Sequence, residues 1–364
     1  MNLNRLTMIF KPASKSDWLE KIKSDLKSVS IEELDLQFGD ISIPRFSHPE
    51  DQHIAPDPIK SKKRNNIWKP STFIELTNLT QAIRTITNEF EGGTTVFNIN
   101  LDKGIHVGLL PSLLEQIPVK EIEIHWKLSS TSELGNFLEW WTEYCASNVL
   151  PIAHSLECGD HNQFILSGRK TYLFPSFTAT ELCTKPASSV EGLTQCFYKI
   201  ARHLEYRSMA PKEGEALSEK IRLTIPVGVN LLWEISKLRA ARIVSAHLAS
   251  SFGLSPEVFR IDVHSAEELS SMNENDQKIA ATIVAMVGAV AGAESIAIKI
   301  PNKEDRDKEY FHRRINRNTS HILNYESGLA HVKDPAAGSY FFEKMTEDMA
   351  RSIWATLQHK VSLS

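Results

Sequence analysis

The sequence predicts an α/β fold in which strands and helices alternate around a parallel sheet. Three observations carry that expectation. Strand-like and helix-like segments succeed one another from about residue 71 to the end of the 364-residue chain, the pattern of parallel strands joined by helical crossovers. The length suits a closed eightfold barrel, which needs about 250 residues plus any additions. No glycine-rich phosphate loop follows the first strand-like segment, which counts against a dinucleotide-binding sheet. From these features alone, an open doubly wound sheet and a closed (β/α)8 barrel both remain.

Residues 1–70 read as an N-terminal arm and linker, and 71–364 as the main domain. In the arm, Asp17, Trp18 and Ile22 to Leu26 suggest one short amphipathic helix, followed by an extended segment from Phe38 to Phe46. Proline and charged residues dominate from Pro49 to Pro70. So thin a segment holds no core of its own, so Phe10, Trp18, Ile22 and Leu26 must bury against something else.

Beyond the arm, Leu76, Leu79, Ile83, Ile86 and Phe90 recur at helical spacing up to Gly92-Gly93. Strands are expected at 94–100, 122–126, 152–156, 164–166 and 172–174, with a helical stripe from Leu134 to Tyr144 between the second and third. Ser188 and Glu191 form a capping-box pattern ahead of the helix carrying Leu193, Phe197, Ile200 and Leu204. Strand 223–229, helix 235–246, strand 259–263, buried helix 279–291 and strand 295–300 follow. A helix around Ile315 to Leu323 stops at Gly328, Asp334-Pro335 opens a turn, and a last helix is expected with Thr346 as its cap. Lys237, Arg239 and Arg242 share a basic helical face, and the simplest expectation is that it is solvated.

Composition narrows the function classes. The net charge of −4 is small and its signs are mixed, which argues against a nucleic-acid surface; the basic run Lys60 to Arg64 reads as a solvated linker. The most apolar run, 279–292, is shorter than the roughly 20 residues of a membrane span, and no charged-then-apolar leader pattern opens the chain. Four widely spaced cysteines and histidines without metal spacing predict no metal site and a reduced, cytoplasmic protein.

Arg317-Asn318, Glu326-Ser327, Asp334 to Tyr340 and Trp354 come in an ordered string. That order resembles one family, the acyl-CoA mutases typified by methylmalonyl-CoA mutase, with Ala337 in place of the family's glycine. Glu234 to Arg242 is close to the family's Glu-Ile-Ala-Lys-Leu-Arg-Ala-Ala-Arg, and the arm's landmarks also fall in the family's order. The resemblance decides for the TIM (β/α)8 barrel with an N-terminal extended arm.

The same resemblance implies that Arg222, Thr224, His264 and Glu294 stand where active members touch the acyl-CoA. The Gln-Thr-Ser-Gly that follows the histidine in those members is absent, and Glu294 replaces a glutamine. Thr178 occupies the position of the catalytic histidine, and a hydroxyl cannot replace an imidazole as proton relay. The cobalt-ligating Asp-x-His-x-x-Gly loop of the family occurs nowhere in the chain, so no cobalamin-binding domain and no cofactor are expected on it. These features are similar to those of the non-catalytic small subunit of a heterodimeric mutase. That would place adenosylcobalamin, and the interconversion of (R)-methylmalonyl-CoA and succinyl-CoA, on a large catalytic partner subunit. A free-standing degenerate acyl-CoA-binding barrel and a mutase assembly or protection factor remain as alternatives.

Overall fold

A computed structural model describes residues 14–27, 30–38, 41–44, 50, 66–101, 107–128, 134–148, 154–157, 173–209, 220–299 and 306–363. Eight parallel strands close into a barrel: β3 (Lys69–Leu76), β4 (Val96–Leu101), β5 (Glu123–Leu128), β6 (His154–Glu157), β7 (Leu173–Thr178), β8 (Ile221–Val227), β9 (Phe259–Ser265) and β10 (Ser295–Ala297). They neighbour one another in that order, and β10 pairs with both β9 and β3 to complete the ring. The closed ring settles the choice that the alternation leaves open: this is a TIM barrel.

Helices pack outside: α2 (Leu79–Glu91), α3 (Leu110–Leu114), α4 (Leu134–Ser147), α5 (Pro186–Met209), α6 (Leu231–Ser251), α7 (Glu274–Val290) and α8 (Arg306–Tyr325). Local chemistry sets their starts. Asn78, Asn230 and Asn273 accept from the first-turn amides of α2, α6 and α7 with their side-chain oxygens. Outward-facing Leu223 and Ile225 of β8, and Ile261 and Val263 of β9, meet the buried side of α6 and α7 in one apolar shell. A second shell joins β3 to β6 with α2, α3 and α4 around Trp126, Phe137 and Trp141.

The arm contributes α1 (Lys15–Leu26) and an antiparallel pair, β1 (Leu36–Phe38) and β2 (Ile41–Ile43). Ile41 and Ile43 are buried in the main core, so this part of the arm packs on its own barrel. In α1 no residue is fully buried; Trp18, Ile22 and Leu26 are half-buried. Phe10, the Lys60 to Arg64 run and the strand expected at 164–166 lie outside the described residues.

Several elements differ from the sequence expectation. Leu76 is the last residue of β3, not the first of a helix. That strand begins at Lys69-Pro70 and alternates between buried positions and half-buried or exposed ones; proline is tolerated at a strand start, and it hides the pattern. Helix α5 begins at Pro186, so Ser188 is already inside it and donates to the carbonyl of Leu182 rather than capping. The last helix, α9 (Tyr340–Ser362), starts after Ser339, and Thr346 is a buried interior position. Gly328 and Gly338 do adopt positive φ, +76° and +79°, where glycine carries no steric penalty.

The basic face of α6 is not solvated. Lys237 and Arg239 are fully buried. The Lys237 ammonium donates to the carbonyls of Cys183 (3.0 Å) and Pro226 (2.8 Å) and pairs with Glu234. Arg239 pairs with Asp334 and with Glu343 (2.8 Å). The Asp334-Pro335 turn is thus pinned to α6, and α9 is held against the barrel. Charged side chains are buried here because each meets a fixed partner.

Candidate functional site

The inside of this barrel is polar. In a parallel barrel, alternate residues of each strand point inward, and small barrels usually fill that space with branched apolar side chains. Here the register brings Asn98, His125, Ser155, Ser176, Arg222 and Asp262 inward at mid-height. Arg222, 4% exposed, donates from Nε to Asp262 Oδ2 (2.6 Å), from Nη2 to Asn98 Oδ1 (2.7 Å) and from Nη1 to Ser176 Oγ (3.4 Å). Nearer the strand N-termini, Arg260 joins Asp262 (2.9 Å) to Glu123, which also accepts from Lys69 (2.7 Å). This chain of charges closes the barrel axis.

The electrostatics follow from the pairing. Burial opposes ionisation of Asp262, but the guanidiniums of Arg260 and Arg222 outweigh it and hold the carboxyl below its ordinary value. Glu123 is lowered in the same way, its burial outweighed by Arg260 and Lys69. Burial, reinforced by Arg222, holds His125 well below 6.5; it stays neutral, with Nδ1 2.7 Å from Ser155 Oγ.

Above this plug, at the C-terminal ends of the strands, lies a cavity of about 630 Å3. TIM-barrel enzymes place their chemistry at this end. Thr178, Arg222, Thr224 and His264 all line it, so four of the five sequence-selected positions come together. Thr178 Oγ1 donates to Glu157 Oε2 (2.6 Å). His264 Nδ1 lies 2.9 Å from the Ser265 carbonyl; that oxygen only accepts, so the proton is on Nδ1 and Nε2 carries a lone pair. Burial and the Lys299 cation lower His264 to about 3.

Glu294 is not brought to the cavity. It precedes β10 at the opposite end of the barrel, where it accepts from Arg242 (3.2 Å) and from the Ile261 amide (2.8 Å). Its charge serves the closure between β9 and β10. Arg222, although it lines the cavity, already has protein partners for all three of its guanidinium nitrogens.

Sequence reading missed Glu157, Lys127, Lys299 and Asp262. A signal existed for the last: Arg260, Asp262 and His264 alternate with Ile261 and Val263, charge at period two inside an apolar strand. Glu157 stands beside residues 158–172, outside the described residues, where no pattern surrounds it. One further imidazole is engaged near the barrel wall. His154 is lowered to about 4 by burial and accepts from the Ile124 amide (3.1 Å).

The methylmalonyl-CoA mutase family model matches residues 192–362, from α5 through α9. A relative named methylmalonyl-CoA mutase small subunit, from Porphyromonas gingivalis, is 24% identical over 95% of this chain and 62% of its own length. This segment, residues 192–362, belongs to the methylmalonyl-CoA mutase family. A second small subunit so named, from Streptomyces virginiae, is 38% identical over 33% of this chain and 20% of its own. Each match spans less than two thirds of the mutase relative concerned. Among solved structures, Plasmodium falciparum HPPK-DHPS aligns over 92% of this chain and 56% of its own, at 13% identity and a TM-score of 0.42, an overlap too low to carry any argument. The mutase-like strings now have a physical account: Glu234 to Arg242 and Asp334 to Tyr340 meet through Arg239, and their charges are fixed in the scaffold away from the cavity.

Proposed function

We propose that this chain is the non-catalytic small subunit of an adenosylcobalamin-dependent methylmalonyl-CoA mutase, supporting a large subunit that interconverts (R)-methylmalonyl-CoA and succinyl-CoA. The observation that carries the reading is the plugged axis. Arg222, which would have to greet an acyl-CoA, is held by Asp262, Asn98 and Ser176, and a ligand displacing them would leave buried charge unpaired, at a cost of several kcal/mol. Thr178 adds to it. Its hydroxyl is engaged by Glu157, and a threonine near neutral pH is neither a general acid nor a general base. The names of the relatives, small and large subunits alike, support a two-chain enzyme.

Among the described residues, those that line the cavity do not fit the cofactor. A corrin with its nucleotide tail is larger than the cavity. The imidazoles that line it, His125 and His264, are 2% and 4% exposed, so neither can reach a cobalt face. The radical chemistry belongs to the cofactor, and the reading places it on the partner.

The test is co-expression with the cognate large subunit. The expected result is a one-to-one complex that isomerises methylmalonyl-CoA, while this chain alone neither isomerises it nor perturbs the absorbance of added adenosylcobalamin. Turnover by the isolated chain, or a large subunit that purifies without it and is fully active, would overturn the reading.

A further inference from the structure

Helix α8 is amphipathic the wrong way round. A surface helix normally turns its apolar stripe to the core and its polar face to water. Here the side that meets the barrel is polar. Arg313 Nη1 donates to Thr72 Oγ1 (2.6 Å), Arg317 Nη1 to Glu89 Oε1 (2.8 Å) and Asn324 Nδ2 to the Trp68 carbonyl (3.2 Å), while Ser320 Oγ accepts from Trp68 Nε1 (2.9 Å). The opposite side carries Phe311, Ile315, Asn318, Ile322 and Tyr325. They are spaced four, three, four and three residues apart, the seam of a coiled coil with one polar position at its centre. Phe311, Ile322 and Tyr325 are 39%, 51% and 73% exposed; Asn318 is exposed and Ile315 half-buried. On α7 beside this seam, Ile279 is exposed, and Lys278 sets its ammonium 5.5 Å from the centre of the Phe311 ring. A continuous exposed apolar stripe of this kind marks an interaction surface.

We propose that α8 pairs with α8 of a second copy of this chain, antiparallel about a two-fold axis at Asn318. The inference goes beyond the subunit reading and does not depend on it. The seam is complementary to itself. About an axis at residue 318, Phe311 meets Tyr325 of the copy, Arg314 meets Ile322, and Asn318 meets Asn318, whose amides each donate and accept. The exposed charges follow the same symmetry. Asp307, Lys308 and Arg314 flank the start of the seam, and Glu326 flanks its end. The Arg314 guanidinium lies 5.9 Å over the Phe311 ring and has no ion pair among the described residues. Antiparallel pairing brings Glu326 of the copy to Arg314 and to the Tyr310 hydroxyl, twice per dimer; parallel pairing would set Arg314 against Arg314. Antiparallel pairing also opposes the two helix dipoles. The seam is about 21 Å long at 1.5 Å per residue. Ile279 of α7 widens the contact beyond a single helix, as a stable interface requires.

The test is light scattering after size exclusion on the full chain, without any large subunit, from about 1 to 100 μM. The expected result is a dimer of the 41.0 kDa chain. Ile322→Glu should raise the dimer Kd at least about tenfold and leave the melting temperature unchanged, because the side chain is exposed. Arg314→Glu and Glu326→Arg should each weaken the dimer, and the double exchange should restore it. If Ile322→Glu fails to fold, these two exposed positions carry the comparison. Asn318→Cys should form a disulfide with its own copy under mild copper-catalysed air oxidation, with the parent chain as the control for its own cysteines. A chain that stays monomeric at about 100 μM would overturn the proposal. So would a dimer indifferent to Ile322→Glu, a double exchange no tighter than the single ones, or an Asn318→Cys dimer that does not cross-link. A chain that is monomeric alone, and loses the large subunit on Ile322→Glu, would assign the face to that subunit and overturn the proposal as well. A two-to-two assembly keeps the one-to-one ratio expected above, so failure of either reading leaves the other standing.

Discussion

The substitution Asp262→Ala tests whether the charged plug holds the barrel together. Asp262 accepts from Arg222 (2.6 Å) and twice from Arg260 (2.9 and 3.1 Å). Without it, Arg260 retains Glu123, but Arg222 is left at 4% exposure with only the neutral partners Asn98 and Ser176. Leaving one buried charge uncompensated costs about 3–5 kcal/mol, a large share of the roughly 5–15 kcal/mol that stabilises a folded domain. For a domain of this size the melting temperature should fall by roughly 4–8 °C. Differential scanning fluorimetry near neutral pH reads it directly. The double substitution Arg222→Met with Asp262→Leu removes both charges and should recover most of the loss, since a well-packed apolar pair can replace a buried ion pair without penalty. An Asp262→Ala protein that melts within about 1 °C of the parent would refute the plug as a stabilising network, as would a double variant less stable than the single one.

Acidification should destabilise the fold well before the carboxylates titrate. His154 and His264 have folded pKa values lowered to about 4 and about 3, so between those values and about 6.5 the unfolded chain binds more protons and stability falls as pH falls, by about 1.4 kcal/mol per pH unit for each histidine; a melting temperature flat from pH 7 to pH 5 would contradict this. Asp262, whose folded pKa is lowered, adds its own loss only as pH drops below its ordinary value of 3.8 and through the folded one. Gly288→Ala should destabilise by about 1–3 kcal/mol, because an added Cβ meets Ile296 Cδ1 and Val263 Cγ2 at 2.8 Å where α7 packs on β9 and β10; thermal melting that stays unchanged would show that the contact can relax. Trp18→Ala should weaken the proposed complex with a large subunit by about thirtyfold to several hundredfold, roughly 2–4 kcal/mol, without lowering the melting temperature of the isolated chain; the reverse outcome would mean that α1 serves only its own barrel.

The sequence by itself determined the alternation, most strand positions and the family strings, because those depend on local periodicity and on ordered residue identities. It also located Arg222, Thr224, His264 and Thr178, all on strands whose inward positions converge at one mouth. Three things were decided only by tertiary structure. Closure of the ring rests on β10 pairing with both β9 and β3, a contact between distant segments that no local pattern encodes. The fate of the charges was invisible for the same reason: Lys237 and Arg239 read as a solvated stripe until carbonyls of Cys183 and Pro226, and the carboxylates of Asp334 and Glu343, are seen to meet them. The use of Arg222 was likewise hidden. A lone arginine on a strand can serve a ligand or the scaffold, and only the convergence of Asp262, Asn98 and Ser176 from three other strands commits it to the scaffold. A buried cation is stable only where fixed partners surround it, and those partners are assembled by the barrel rather than by the neighbouring residues in the chain.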